Sequence, residues 1–174
     1  RSTLFPYTTL FRSLADQRIA FLGSVNSMPI ANNRRMGYED ALRKYRLPRE
    51  KSWNRLCDTE ELARKIVPEM LQTDPVPDAF FCINDEVAAY CMQFVKIAGF
   101  KIPEDISICG FTNSYITDVT DPKITTVDQH GFEMGKVAAR LLINRIEGKE
   151  TKKGIVSRLI KTELVIKEST RNRL

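Results

Sequence analysis

The sequence has few of the residues and motifs that enzymes and metalloproteins commonly use. Its 174 residues include one histidine, His130, and four cysteines that show no CxxC spacing. A phosphate-binding loop, a nucleophile elbow and a G-x-G-x-x-G dinucleotide fingerprint are all missing. We therefore expect no metal, no other cofactor and no enzymatic activity. The cysteines fall mostly in apolar runs, which predicts buried, reduced thiols of the kind found in cytosolic proteins.

Long hydrophobic runs are also missing. No stretch approaches the roughly twenty apolar residues that a membrane helix needs, so we expect no membrane segment. An apolar content of 43% and a charged content of 28% are ordinary for a globular protein. The net charge of +5 includes Arg1 and Arg12, and the remainder is concentrated in the turn at 148–154 and in the C-terminal tail. This distribution does not predict a DNA-reading surface.

The first thirteen residues are interpreted separately. Residues 3–13, TLFPYTTLFRS, match codon for codon the translation of a common short-read sequencing adapter. We therefore interpret residues 1–13 as an adapter-derived artefact, exclude them from fold reasoning, and expect the natural N-terminus to be missing.

The middle of the chain carries the clearest structural pattern. Apolar runs at Ala79–Ile83 and Ile106–Gly110 predict two buried strands. Between them, apolar residues at helical spacing predict a helix that Asn84 can cap and that Gly99 ends. A crossover of this length joins parallel strands, so the carboxyl ends at Asn84 and Thr112 are expected at the same edge of the sheet. In open parallel sheets that edge holds the ligand crevice.

Strands and helices also alternate before this stretch. An apolar run at Arg18–Gly23 predicts a strand, and Asn32 or Asn33 can cap the helix that follows. A weaker strand is predicted at Trp53–Cys57. Asp58, with a glutamate three residues later, resembles a capping box for the next helix.

The pattern continues after the second central strand. Ile124–Val127 is a short β-branched run, and apolar residues between Met134 and Ile146 predict an amphipathic helix. The segment Ile155–Lys167 is mixed and β-rich. His130, at the junction of a strand and a helix, is expected to be a capping or surface residue rather than a catalytic base. The fold class is therefore α/β, with a doubly wound parallel sheet.

The order of these segments resembles the effector-binding domain of LacI-family transcription regulators. The resemblance extends from about residue 18 to about residue 169 and rests on these motifs: RRMGY at 34–38, INDEVAAY, PEDISICGF, ITTVDQ and TELVIKES. In that family the domain has the periplasmic-binding-protein-like type I fold, with two Rossmann-like subdomains around a small-molecule pocket. The resemblance implies that residues 14–128 form the C-terminal effector-binding subdomain. Residues 129–161 would belong to the N-terminal subdomain, most of which is missing, and residues 162–174 would form a crossover strand and tail.

The resemblance also implies a binding site. Its residues would be Arg34, Asn84, Asp85, Thr112 and Gln129. Arg34 would donate to ligand hydroxyls or carboxylates, Asn84 would both donate and accept, and Asp85 would be mainly structural. The alternatives are an exposed first-turn arginine for Arg34 and a plain helix cap for Asn84. Thr112 stands where many sugar-binding members have an acid, so a sugar derivative, an oligosaccharide fragment or an acid is a better candidate than a simple pyranose.

The function implied by the resemblance is effector binding and dimerisation within a cytoplasmic LacI-type regulator that lacks its DNA-binding domain. Its partners would be a sugar or related small molecule, operator DNA through the missing domain, and a second copy of the full-length protein. A periplasmic sugar-binding protein of the same fold is the alternative, and an upstream signal peptide or helix-turn-helix would distinguish the two. An enzyme on a flavodoxin-like sheet is a third candidate, for which no catalytic constellation is present.

Overall fold

The computed structural model describes residues 17–24, 29–149, 154 and 156–171. The adapter-like residues 1–13 lie outside the described residues.

Four parallel strands form the main sheet. They are β1 (Ile19–Gly23), β2 (Asn54–Leu56), β3 (Ala79–Cys82) and β4 (Ser107–Cys109), in the order β2-β1-β3-β4. Each strand is joined to the next by a segment that contains a helix, which is the connection that parallel strands require. The predicted α/β class with a parallel sheet is confirmed, and the weak strand expected at Trp53–Cys57 is present as the short edge strand β2.

Three helices cover this sheet: α1 (Pro29–Tyr45), α2 (Glu60–Leu71) and α3 (Asp85–Ile97). From β1 the chain first goes to β2 at one edge of the sheet, and it then crosses back over β1 to β3 and continues to β4 at the other edge. Right-handed crossovers therefore place α1 on one face, and α2 and α3 together on the opposite face. On the α1 face, the Phe21 ring stacks on Tyr38 at 5.2 Å and on Phe81 at 5.7 Å. The sheet is doubly wound, as expected.

Helix α1 begins earlier than the sequence suggested. It starts at Pro29, so Asn32 and Asn33 lie inside the helix and the prediction that one of them caps it is wrong. Proline is favoured at the first helical position, because the N–H that it lacks would have no partner within the helix there. Arg34 is therefore in the second turn of α1.

The residues that cap α2 and α3 can also be compared with the predicted ones. Helix α2 is capped by Thr59, whose Oγ1 accepts from the Leu62 N–H at 3.2 Å. The prediction of a capping box at Asp58 is wrong, since Asp58 accepts from the Ser24 hydroxyl at 3.0 Å instead. Helix α3 is capped as predicted, with Asn84 Oδ1 accepting from the Val87 N–H at 2.8 Å.

The rest of the chain leaves the main sheet and returns to it. A one-turn helix α4 (Ile116–Val119) precedes β5 (Thr126–Asp128), α5 (Gly131–Ile146) and β6 (Glu163–Val165), and β5 pairs with β6 in antiparallel fashion. Residues 166–171 then run back to β4. There the Ile108 N–H donates to Ser169 O at 2.8 Å, and the Ser169 hydroxyl donates to Ile108 O at 2.6 Å.

The four cysteines belong to the core. Cys57, Cys82, Cys91 and Cys109 are reduced and buried, as predicted. Burial raises the pKa of Cys57 to about 12 and holds the pKa values of Cys82 and Cys109 well above the ordinary thiol value. The described residues contain no group of three or more histidine, cysteine, aspartate or glutamate side chains that could hold a metal ion. No helix in the described part of the chain is long and apolar enough to cross a membrane.

Candidate functional site

The ends of three strands meet at the carboxyl edge of the main sheet. Strand β3 continues into Asn84, β4 into Thr112, and β5 into Gln129. Strand β5 lies beside the continuation of β4, because the Thr112 N–H donates to Val127 O at 2.9 Å and Thr112 forms a parallel bridge with Asp128. This edge is where open α/β sheets bind their ligands.

Arg34 reaches this edge from helix α1. Its Nη1 donates to the backbone oxygen of Ile83 at 2.7 Å, and its Nη2 donates to Gln129 Oε1 at 3.3 Å. The guanidinium carbon lies 4.1 Å from the centroid of the Phe111 ring, a cation–π arrangement. The side chain is therefore partly buried and positioned between strand ends, which does not fit the alternative of an exposed first-turn arginine.

Gln129 links Arg34 to Thr112. Its Oε1 accepts from Arg34, and its Nε2 donates to Thr112 Oγ1 at 3.2 Å. Thr112 is exposed at the edge, and its backbone has a φ of 133°. Such backbone is unusual for a residue with a side chain, and residues strained in this way cluster at active sites and ligand clamps. The arrangement is a chain of three polar side chains along the rim of the sheet.

The two polar atoms of the Asn84 side chain differ in their contacts. Its Oδ1 caps α3, while its side-chain nitrogen makes no hydrogen bond within the described part of the chain. An asparagine amide nitrogen has two donor hydrogens. The same side chain can therefore cap the helix and donate to a ligand, so capping and ligand binding are compatible at Asn84.

Asp85 is engaged within the protein. Its side chain is buried, with the residue 1% exposed. Its Oδ2 accepts from the Ser114 N–H at 2.7 Å, and its Oδ1 accepts from the Thr126 hydroxyl at 2.5 Å. These bonds connect α3 to the loop after β4 and to β5. They fit the mainly structural part expected for Asp85.

Three residues of this edge were not singled out by the sequence pattern: Phe111, Asn113 and Asp128. Phe111 supplies the ring beneath Arg34, and an aromatic residue directly after a buried strand is a signal that could have suggested it. The Asn113 side chain donates to Asp128 Oδ2 at 3.2 Å. His130 occupies the N-cap position of α5 but makes no side-chain cap hydrogen bond, so its ring does not serve as the cap.

The edge combines one guanidinium, an aromatic face, amide groups and a hydroxyl. These groups offer charge-assisted donors for hydroxyl or carboxylate oxygens, together with neutral donors and acceptors. A small polar molecule suits such a set. A parallel sheet with this edge defines a small-molecule-binding α/β domain.

The chain belongs to the family described as "Periplasmic binding protein-like domain", which matches residues 10–170. This match confirms the fold that the resemblance implied.

The relatives of the chain include transcription regulators. The HTH-type transcriptional repressor CytR of Escherichia coli (strain K12) is 35% identical over 156 residues, which are 89% of this chain and 45% of CytR. The structure of the "transcriptional regulator CelR-cellobiose complex" has a TM-score of 0.82 and 27% identity, over 93% of this chain and 49% of that one. A regulatory protein of the LacI family from Chloroflexus aggregans has a TM-score of 0.84 and 25% identity, over 96% and 59%. The chain spans about half the length of the proteins it matches, and its resemblance to LacI-family regulators is confirmed.

Proposed function

We propose that this chain is the effector-binding part of a LacI-type transcription regulator and that its effector is a sugar or a related small molecule. One observation carries the proposal: Arg34 lies over Phe111 and is hydrogen-bonded to Gln129, at the sheet edge where Asn84 and Thr112 also lie. A cation held between strand ends by a ring and a carbonyl is preorganised, so little conformational entropy is lost when it binds a ligand.

Each proposed site residue has a role that its contacts support. Arg34 and Gln129 would bind hydroxyl or carboxylate oxygens, Asn84 would donate through its side-chain nitrogen, and Thr112 would contribute its hydroxyl. Asp85 would act indirectly, by holding α3 against β5. Because Thr112 offers no charge-assisted acceptor, the site favours a sugar derivative, an oligosaccharide fragment or an acid over a simple pyranose.

The relatives support the regulatory part of the proposal. CytR is a repressor, and the CelR structure is a complex with cellobiose. By analogy, operator DNA would be bound by sequence outside the matched region, and the complete protein would act as a homodimer. Residues 14–128 would form the C-terminal subdomain, 129–161 part of the N-terminal subdomain, and 162–174 a crossover strand and tail.

Compartment and chemistry follow from the same proposal. The protein would act in the cytoplasm, where four buried, reduced cysteines are ordinary. This feature favours a regulator over the periplasmic sugar-binding protein. The polar groups at the edge would bind the effector without transforming it, so we propose no enzymatic role.

The test compares two neighbouring arginines of α1. Cellobiose, glucose and glucuronic acid are titrated calorimetrically into the wild-type chain, Arg34→Ala and Arg35→Ala. Arg35 is the matched control, because its guanidinium pairs with Glu39 at 2.7 Å within α1 and its side chain is 42% exposed. We expect Arg34→Ala to weaken binding roughly tenfold to hundredfold, the effect of losing a hydrogen bond to a charged group, and Arg35→Ala to leave it unchanged.

Thermal melts of the same proteins complete the test. Arg34→Ala also loses the bond to Ile83 O and the contact with Phe111, so we expect a loss of about 1–2 kcal/mol in the free energy of unfolding. Equal affinities in Arg34→Ala and Arg35→Ala would contradict the proposed role of Arg34. Absence of binding to all three compounds would count against a sugar effector.

A further inference from the structure

Asp128 is the last residue of β5 and directly precedes Gln129. Its Oδ1 accepts from the backbone N–H of His130 at 2.6 Å, and its Oδ2 accepts from Asn113 Nδ2 at 3.2 Å. The same Oδ2 lies 3.5 Å from His130 Nδ1. The Asp128 carboxylate thus accepts from the backbone N–H two residues later, with Gln129 in between, which is the hydrogen bond of an Asx-turn.

We propose that Asp128 is a positioning residue of the effector site, an inference that rests on the function proposed above. The Asp128 backbone is bridged to Thr112, and the Asp128 carboxylate holds the N–H of His130. The backbone is therefore restrained on both sides of Gln129. Restrained in this way, the Gln129 side chain can accept from Arg34 and donate to Thr112 at the same time.

The backbone around Asp128 explains why such a restraint is needed. Thr112, Asn113 and His130 have φ values of 133°, 60° and 52°. Residues with side chains adopt such backbone at an energetic cost, and they persist in it only where surrounding contacts hold them. Asp128 contacts all three, Thr112 through the backbone bridge and the other two through its carboxylate. Removing the carboxylate should release the turn that carries Gln129.

A second aspartate of the chain provides a matched control. Asp78 accepts from the backbone N–H groups of Arg18 at 2.7 Å and Gln17 at 3.3 Å. It precedes β3 and therefore lies at the opposite, amino edge of the sheet. Asp78→Ala therefore removes hydrogen bonds between a carboxylate and backbone N–H groups, as Asp128→Ala does. The bonds lost in Asp78→Ala lie at the edge of the sheet opposite to Gln129.

The experiment first measures Gln129 without any ligand. In the ¹⁵N-labelled 174-residue chain, the side-chain amide signals of Gln129 are assigned by their loss in Gln129→Ala, among the four glutamines of the chain. We expect these signals to shift toward those of a solvent-exposed amide in Asp128→Ala and to stay in place in Asp78→Ala. Asp128→Asn should restore them, because an asparagine oxygen can still accept from the His130 N–H.

Two outcomes would overturn the inference. Unchanged Gln129 signals in Asp128→Ala would show that the carboxylate does not hold this side chain. Displaced signals in both Asp128→Ala and Asp128→Asn would show that the hydrogen bond to the His130 N–H does not hold Gln129, because the asparagine oxygen keeps that bond. Thermal melts measure the loss of stability in both alanine variants. If Asp78→Ala loses stability as Asp128→Ala does but keeps its Gln129 signals in place, the displacement belongs to the Asp128 carboxylate and not to a general loss of stability.

The second measurement uses cellobiose as the probe. We expect the affinity for cellobiose to fall about tenfold in Asp128→Ala, the size of one lost hydrogen bond at the site, and to be recovered in Asp128→Asn. If the wild-type chain binds no cellobiose, that result counts only against the proposed effector. Displaced Gln129 signals in Asp128→Ala would then still support the positioning role. Wild-type cellobiose affinity in Asp128→Ala would overturn the inference.

Discussion

Helices α3 and α5 have similar amphipathic patterns but different surroundings. Seven of the thirteen residues of α3 are buried, because the helix packs on the main sheet and against α2. Every one of the sixteen residues of α5 is at least partly exposed, including four large apolar residues that are more than half exposed: Phe132, Leu142, Ile143 and Ile146. The pattern of apolar residues therefore determines which face of a helix is apolar, whereas burial depends on what the rest of the structure places against that face.

Residues 158–160 lie beside α5 but leave its side chains partly exposed. Residues 158–160 and one side of the helix enclose an open groove of about 340 Å³, which is lined by Val137, Arg140, Leu141, Asn144, Arg158, Leu159 and Ile160. A groove of this kind leaves apolar side chains in contact with water. The main sheet and its helices should therefore determine the stability of the chain, while α5 should contribute little.

The largest expected effect comes from a pair of phenylalanines, one from each region. Phe81 is 1% exposed in β3, whereas Phe132 is 87% exposed in α5. We expect Phe81→Ala to lower the free energy of unfolding by about 3–5 kcal/mol, because it removes a buried ring and leaves a cavity. Phe132→Ala should change it by less than about 0.5 kcal/mol. Urea unfolding followed by circular dichroism measures both.

The same pair also tests the exposure of α5. A hydrophobic dye should bind the wild-type chain through the exposed apolar side chains, and Phe132→Ala should reduce that binding. Similar losses of stability in the two variants would contradict the comparison, since they would mean that Phe132 is buried in solution.

A pair of glycines should show effects of opposite sign. A Cβ at Gly110 would collide with Oδ1 of Asp85 and lie 3.1 Å from the Asp85 Cα, so α3 would have to move away from β4. We expect Gly110→Ala to destabilise the chain by about 1–3 kcal/mol. A Cβ at Gly135, inside α5, would meet nothing within 4 Å.

Gly135→Ala should therefore stabilise α5 by about 0.5–1 kcal/mol, because alanine loses less backbone entropy than glycine in a helix. Thermal melts compare the two variants, and helicity at 222 nm reports the change in α5. A stabilising Gly110→Ala would show that α3 and β4 are not in close contact.

Much of the fold could be predicted from the sequence, because buried parallel strands are continuous apolar runs. β1, β3 and β4 lie within the apolar runs that predicted them. The errors concern helix starts, where several residues compete for the cap. Asn32 and Asp58 are good capping residues, but α1 begins at Pro29 and α2 is capped by Thr59. Local preference identifies the candidates, and tertiary contacts such as the bond from Ser24 to Asp58 decide among them.

Less of the candidate site than of the fold could be predicted from the sequence. The resemblance supplied Arg34, Asn84, Thr112 and Gln129, and the order of strands indicates that Asn84 and Thr112 lie near one sheet edge. The hydrogen bonds from Arg34 to Gln129 and from Gln129 to Thr112 connect residues that are 95 and 17 positions apart. No local pattern predicts such contacts. Asp128 was not identified for the same reason, since its role depends on the backbone shape around it.

The smallest expected effect concerns the point at which the chain returns to the core. Lys167 Nζ donates to Asp118 Oδ1 at 2.8 Å and to Thr117 Oγ1 at 2.7 Å, and so ties the last segment to α4. The Lys167 side chain is 12% exposed and that of Asp118 63%. The hydrogen bond from Lys167, and then its charge, lower the pKa of Asp118 from its ordinary value of 3.8.

A group whose pKa is lowered by folding stabilises the folded state at pH values above its ordinary pKa and loses that contribution as the pH falls through the lowered value. We therefore expect Asp118→Asn to lower the melting temperature slightly at pH 7, and the difference from wild type to disappear in acid. It should also shrink in 0.5 M salt, because exposed ion pairs are screened. Glu133→Gln is the control, since Glu133 pairs with Lys136 at 3.7 Å entirely within α5. We expect it to leave the melting temperature unchanged, because that pair connects α5 to nothing else. Equal shifts in the two variants would mean that the Lys167 bond does not tie the last segment to the core, and that the core and the helix differ in apolar burial alone.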